Sequence, residues 1–140
     1  MGAAPPAFEI TIAVEPGDID ALGHVNNVAY LRWVQDVAVA HWQAAAAHED
    51  QARLWWVVVR HEIDYKHPAY LGDCIIARTW VGTATRIRFE RHTELLRAGD
   101  RLLLAKARTL WCPIDAVTGK PASVSPEVRA RFSVPDDETG

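Results

Sequence analysis

The chain reads as an α+β domain in which one long helix covers a face of a five-stranded, largely meandering sheet. Three observations carry that reading. Only the segment from Asn26 to Ala47 has apolar residues at helical spacing, with no Gly or Pro inside it. Five other segments have the alternation or the Val, Ile and Trp enrichment of strands. The order is strand, helix, then four strands joined by short turns, so the sheet needs a cover on one face and this helix is the one element large enough to supply it.

Phe8, Ile10, Ile12 and Val14 alternate with Glu9, Thr11 and Ala13, the period of a half-buried strand, and Pro16-Gly17 ends it. In the helix, Val28, Leu31, Val34, Ala38, His41, Trp42 and Ala45 recur at helical spacing, with Asn26 or Asn27 as the cap. His48 to Arg53 is a polar connection. Leu54 to Tyr65 forms the second strand, Pro68-Ala-Tyr-Leu-Gly-Asp73 a turn, and Cys74 to Gly82 the third strand. In the fourth, Ile87, Phe89, Arg91, Thr93 and Leu95 share one face. Arg86, Arg88, Glu90, His92 and Glu94 share the other, which meets solvent or a ligand. Ala98-Gly-Asp100 connects to the fifth strand, Arg101 to Cys112. The segment beyond Pro113 has too little apolar material to fold alone, and residues 1–7 and about 133–140 read as flexible tails.

A chain of 140 residues with 49 % apolar content fits a single domain, residues 1–140, that needs neither disulfide nor metal to build a core. A net charge of −3 argues against nucleic acid as the partner, because phosphate binding is driven by clustered Lys and Arg. Cys74 and Cys112 lack any metal-ligand spacing and read as buried free thiols. With no basic segment leading into an apolar run and no window of membrane-spanning length, a cytoplasmic protein with no membrane partner is expected. Neither GxGxxG, GxxxxGK[ST] nor GxSxG occurs, which removes dinucleotide, nucleotide-hydrolysis and serine-hydrolase readings.

Chemistry concentrates in Asp18-Ile-Asp-Ala-Leu-Gly-His-Val-Asn-Asn27, between the first strand and the helix. The first amides of a helix have no intrahelical partner and carry partial positive charge, so a carbonyl oxygen becoming an oxyanion can be held there. A carboxylate one turn upstream is then placed as base or nucleophile. Asp18 follows Pro16-Gly17 and reads as a structural turn residue. Asp20, by residue type alone, reads as a helix cap ahead of a catalyst.

The pattern Asp18-x-Asp20-x-x-Gly23-His24-Val25-Asn26-Asn27-x-x-Tyr30-Leu31, followed by an aromatic in the helix, resembles the hotdog-fold acyl thioesterases, specifically the 4-hydroxybenzoyl-CoA thioesterase class. Val57 to Tyr65 and Pro68 to Asp73 resemble that family's second strand and turn, so the likeness covers the first half to three-fifths of the chain. The resemblance implies the hotdog fold, with its antiparallel sheet wrapped around the long helix, an acyl-CoA or acyl-ACP thioesterase, and no cofactor beyond the coenzyme A of the substrate. It also implies a homodimer or homotetramer with interfacial active sites. Asp20 would be the catalytic carboxylate, either nucleophile or general base, with Gly23, His24, Val25, Asn26 and Asn27 around the substrate and its oxyanion. Many relatives carry Glu and Arg where this chain has Gln35 and Ala38, so that Glu's role does not transfer, nor does it pass to Asp36.

Other residues carry two readings each. His24 orients substrate or water, or satisfies a buried carbonyl. Tyr30, Leu31 and Trp33 line an acyl tunnel or pack in the core. His61, on the face of Val57, Val59 and Ile63, reads as an interior or interface histidine. Arg86, Arg88 and Arg91, with Lys106 and Arg108, bind coenzyme A phosphates or form a solvated strand face. The rivals to hydrolysis are a non-catalytic acyl-CoA-binding hotdog domain and, lower, a hotdog dehydratase.

Overall fold

A computed structural model describes residues 7–132 and 134. The strands are β1 (Phe8–Ala13), β2 (Leu54–Tyr65), β3 (Cys74–Ala84), β4 (Phe89–Arg97) and β5 (Leu103–Asp115). They form one antiparallel sheet in the order β1-β3-β4-β5-β2. Helix α1 (Asn27–Ala45) packs across one face, α2 (His48–Arg53) leads into β2, and α3 (Pro126–Arg131) closes the described chain. The predicted five strands and single long helix are all present.

The apolar stripe of α1 divides between two cores. Its N-terminal part, with Trp33, Val34 and Val37 almost wholly buried, packs on Ile75, Ala77, Leu95 and Leu104 of the sheet. Its C-terminal part, beginning at Ala38, packs with Leu54, Phe89, Trp111, Val128 and Phe132. Burying a Val, Leu or Phe stabilises by about 1.5–3 kcal/mol, so either cluster is a substantial part of the fold's stability.

Several boundaries and orientations differ from the sequence reading. Helix α1 ends at Ala45 because Ala46 turns to extended backbone, and the polar stretch after it forms α2. Strand β4 starts at Phe89, since Thr85 N–H donates to Arg88 O and closes a hairpin that contains Arg86 and Arg88. Strand β5 runs from Leu103 to Asp115, because Arg101 sits at φ 59 in the preceding turn. Beyond Pro113 the chain packs onto the sheet: Val124, Val128, Phe132 and Val134 are buried, tertiary contacts supplying what the segment lacks alone. The expected flexibility of the tails falls mostly outside the described residues. Cys74 is exposed, because the alternation of β3 turns Ile75 inward instead; Cys112 is buried.

His61 does not share a face with Val57 and Val59. The β2–β5 register shifts between Val58 and Arg60, and one extra residue exchanges the two faces of the strand. Trp55, Val57 and Val59 therefore face out, while His61 and Ile63 turn in. There His61 Nδ1 lies 2.9 Å from Thr109 Oγ1, and burial lowers its pKa, as suits an interior histidine.

Candidate active site

The segment between β1 and α1 folds back on itself, with Ile19 and Val25 bridged. Asp20 N–H donates to His24 O at 3.0 Å, and Gly23 N–H donates to Asp20 O at 3.1 Å. Gly23 has φ 87, a left-handed conformation that a side chain would strain. The following turn, Pro68 to Asp73, is the wall behind this loop: Val25 N–H donates to Ala69 O at 2.8 Å, and Ala69 N–H to Tyr30 Oη at 2.8 Å. The two motifs that carried the family resemblance thus meet in space.

The two aspartates have opposite surroundings. Asp18 is buried, accepting Glu15 N–H at 2.9 Å and a guanidinium hydrogen bond from Arg32. Burial opposes its ionisation, but the Glu15 amide and Arg32 outweigh it, and its pKa lies below the usual carboxylate value. Its carbonyl also receives Asn26 N–H at 2.8 Å. Asp20 is open to solvent. One oxygen accepts Leu22 N–H at 2.9 Å within the turn, and the other lies 3.8 Å from His24 Nδ1, with both side chains about a third exposed.

The amides at the start of α1 are mostly occupied. Asn26 caps the helix by accepting Val28 N–H at 2.8 Å, and its own N–H serves Asp18. Among the described residues, Asn27 N–H has no acceptor, which makes it the free donor at the positive end of a helix of 19 residues. Around this point Leu22, Val28, Tyr70 and Leu71 leave an exposed apolar rim. Gln35 and Asp36 are exposed on α1, and Ala38 is buried.

The cationic residues do not gather here. Arg86 and Arg88 sit in the β3–β4 hairpin, whereas Cys74 at the other end of β3 pairs with Ala13 beside the Asp20 loop. Ten residues of strand separate Cys74 from Ala84, roughly 33 Å at strand rise. Within the chain, Arg86 and Arg88 therefore lie at the opposite end of β3 from the Asp20 loop. Arg91 faces inward and is buried, so it is not part of a solvated charged face. That outer face is instead an ion-pair ladder, with Arg108 to Glu90 at 2.8 Å and Arg78 to Glu94 at 3.0 Å.

Three supporting residues escaped the sequence reading. Arg32 clamps Asp18, and Tyr65 Oη donates to Asn27 O at 3.3 Å. Arg97 holds the second turn through Asp73 at 3.1 Å and Pro68 O at 2.9 Å. Tyr30, expected in core or tunnel, is buried but anchors both turns through its hydroxyl; a buried tyrosine needs such a partner, which was the available signal.

Five antiparallel strands around a central helix, with a carboxylate-bearing turn at the helix N-terminus, define a hotdog-fold protein. Residues 14–132 match the family model of the Thioesterase-like superfamily, and the chain belongs to that superfamily. Its fold is shared with a 1,4-dihydroxy-2-naphthoyl-CoA thioesterase from Synechocystis, at 20 % identity and TM-score 0.79, covering 91 % of this chain and 96 % of that one. A thioesterase from Thermus thermophilus, complexed with coenzyme A and zinc, superposes with TM-score 0.77 at 23 % identity, covering 89 % of this chain and 90 % of that one. A probable thioesterase from Escherichia coli gives 0.77 at 21 % identity, covering 88 % and 94 %. A search among curated proteins found no match. Membership of this superfamily supports thioester hydrolysis as the activity. Among the described residues no helix is long and apolar enough to cross a membrane.

Proposed function

We propose that the protein hydrolyses acyl-CoA thioesters at the N-terminus of α1, with Asp20 as the reacting carboxylate. The observation that carries this reading is the pairing of a solvent-open Asp20 oxygen with the unoccupied Asn27 amide at the two ends of one short loop. The coenzyme A bound by the Thermus thermophilus thioesterase supports the choice of carrier.

In the general-base route Asp20 takes a proton from water as the water oxygen bonds to the thioester carbon. The Asn27 N–H and the helix dipole stabilise the oxyanion, whose collapse expels the coenzyme A thiolate to be protonated. In the nucleophilic route Asp20 itself displaces the thiolate, forming a mixed anhydride that water then opens. In single turnover in heavy-oxygen water, label found in Asp20 marks the anhydride, opened by water at the Asp20 carbonyl.

A second copy completes the site in this reading. Strand β2 is a sheet edge that exposes Trp55, Val57 and Val59, and its last residue, Tyr65, touches Asn27. An apolar, unpaired edge of this kind is suited to isologous pairing with itself. A role for Arg86 and Arg88 on coenzyme A phosphates then comes from the second copy, consistent with their distance from Asp20 in one chain.

The test is Asp20→Asn assayed for thiol release across aromatic and aliphatic acyl-CoAs and acyl-ACP. Loss of a general base predicts a fall in kcat of about a hundredfold or more. Turnover near that of the unmodified protein would overturn the assignment, and tight acyl-CoA binding by the unmodified protein without thiol release would identify a binding domain instead.

A further inference from the structure

Asn27 carries the free N–H at the head of α1, and the backbone groups on either side of it are all engaged. Asn26 N–H donates to Asp18 O at 2.8 Å, and Asn26 O accepts Ala29 N–H at 2.9 Å. The peptide that bears the free N–H is therefore fixed at its carbonyl end. In the next peptide, Val28 N–H donates to Asn26 Oδ1 at 2.8 Å and Asn27 O accepts the hydroxyl of Tyr65 at 3.3 Å. A carbonyl oxygen has two lone pairs, so Asn27 O can take this hydroxyl and still accept within the helix.

Three of these four bonds are local, made between Asp18 and Ala29, whereas Tyr65 reaches Asn27 across 38 positions of sequence. That difference matters at the end of a helix, because the first turn lacks intrahelical acceptors for its N–H groups and is where helices fray. Local bonds move with the turn; a bond from the sheet does not. Tyr65 is itself held from two sides. It is the last residue of β2, in register with Ala105 of β5, and its ring stands edge-on to Tyr30 with centroids 5.4 Å apart and planes at 75°. Tyr30 is buried, and its hydroxyl accepts the Ala69 N–H at 2.8 Å. The Tyr65 side of this arrangement is nevertheless open, with the residue 43 % exposed. Its hydroxyl therefore adds little to the stability of the core, and what it does hold is the backbone of Asn27.

We propose that Tyr65 is a positioning residue for thioester hydrolysis: its hydroxyl ties Asn27 to the sheet and so fixes the direction of the Asn27 N–H toward the forming oxyanion. It acts through the backbone, without touching the substrate. The proposal rests on the role given above to that N–H. A donor of this kind is effective because it needs no reorientation at the moment of reaction, so anything that keeps it aimed is felt in the transition state. Loss of the aim lowers kcat and leaves KM in place, since the ground-state contacts of the substrate are unchanged.

The experiment is Tyr65→Phe in the full chain, which keeps the ring and its contact with Tyr30 and removes only the hydroxyl. In steady-state thiol release from acyl-CoA, kcat is expected to fall about three- to tenfold, the equivalent of one neutral hydrogen bond, with KM held within about twofold. Tm should move by no more than about 2 °C, as suits an exposed group. Backbone-amide relaxation by nuclear magnetic resonance supplies a readout that needs no turnover. The order parameter of the Asn27 amide should drop in Tyr65→Phe while that of Ala38, in the middle of α1, stays as it is. An unchanged kcat in Tyr65→Phe, with turnover lost in Asp20→Asn, would overturn the proposal and leave the reading of Asp20 standing. An unchanged Asn27 order parameter would overturn it as well. So would a rise in KM at constant kcat, which would place the hydroxyl on the substrate. If Asp20→Asn keeps its turnover, the reading of Asp20 falls on that result, and the order parameter still decides whether Tyr65 holds Asn27.

Discussion

Replacing Asp18 and Asp20 by asparagine, one at a time, separates the frame of the loop from its chemistry. The two carboxylates stand two residues apart and differ in what they touch. Asp18 holds Glu15 N–H and Arg32 from a buried position. Asparagine keeps one acceptor and turns an amide NH₂ toward the other donor. Hydrogen bonds to charged groups contribute about 1.5–3 kcal/mol, discounted here because the Arg32 side chain is 53 % exposed and can be solvated when released. A loss of about 1–2 kcal/mol is expected, which for a chain of this size lowers Tm by roughly 3–8 °C. Asp20 holds only the Leu22 amide in an exposed turn, so Asp20→Asn should move Tm by no more than about 2 °C. Thermal unfolding by circular dichroism, with thiol release measured on the same samples, reads both quantities. Asp18→Asn should keep most of its turnover at temperatures where it is folded, and Asp20→Asn should keep its Tm and lose turnover. The sign with pH follows from the lowered pKa of folded Asp18. Its stabilisation is fully present above the unfolded value near pH 4 and is lost as pH falls through the lower folded value, so the Tm gap between the native chain and Asp18→Asn should close in acid. The reasoning fails if Asp20→Asn costs more Tm than Asp18→Asn, or if Asp18→Asn retains its Tm while losing turnover.

Tyr30→Phe should leave the Ala69 amide unpaired in a buried place and cost about 1–3 kcal/mol, read as a lowered urea midpoint with unchanged m-value. His41 is held neutral with a pKa of about 4, so protons bind the unfolded chain more readily from about pH 6.5 down to that value. Its contribution is complete above about pH 6.5 and declines below, and His41→Gln should flatten that part of the Tm profile. Val59→Lys places a charge on the exposed β2 edge and should convert an oligomer to monomer in analytical ultracentrifugation; an unchanged sedimentation coefficient would remove β2 from the interface.

The long helix and the five strands were legible because each is periodic and core-forming, so the residues that bury themselves also repeat at the period of their element. Where periodicity vanished, so did the reading. Val57-Val-Val59 is apolar throughout, and nothing in such a run marks the extra residue that turns His61 inward. Helix α3 owes its place to Val128 and Phe132 meeting residues from elsewhere in the chain, a tertiary effect that local propensity does not contain. In the loop, Pro16-Gly17-Asp18 marked Asp18 as structural, and its bonds agree. Which helix amide stays free was hidden, because it depends on the Asp18 carbonyl claiming Asn26. Arg91 alternated with the inward residues of its strand, yet its charge argued for the surface. Only the approach of His41 and Thr79 from other elements shows how it is kept inside.

That α1 lays its two halves on separate clusters has a consequence for how the molecule can change over generations. Residues of the Tyr30 end and of the Trp56 end share few neighbours, and substitutions at well-separated sites without shared partners add nearly independently. The aromatic end can therefore be recut, one side chain at a time, while the turn bearing Asp20 keeps its shape. A lineage built this way can vary what it holds without relearning how to hold Asp20 in place.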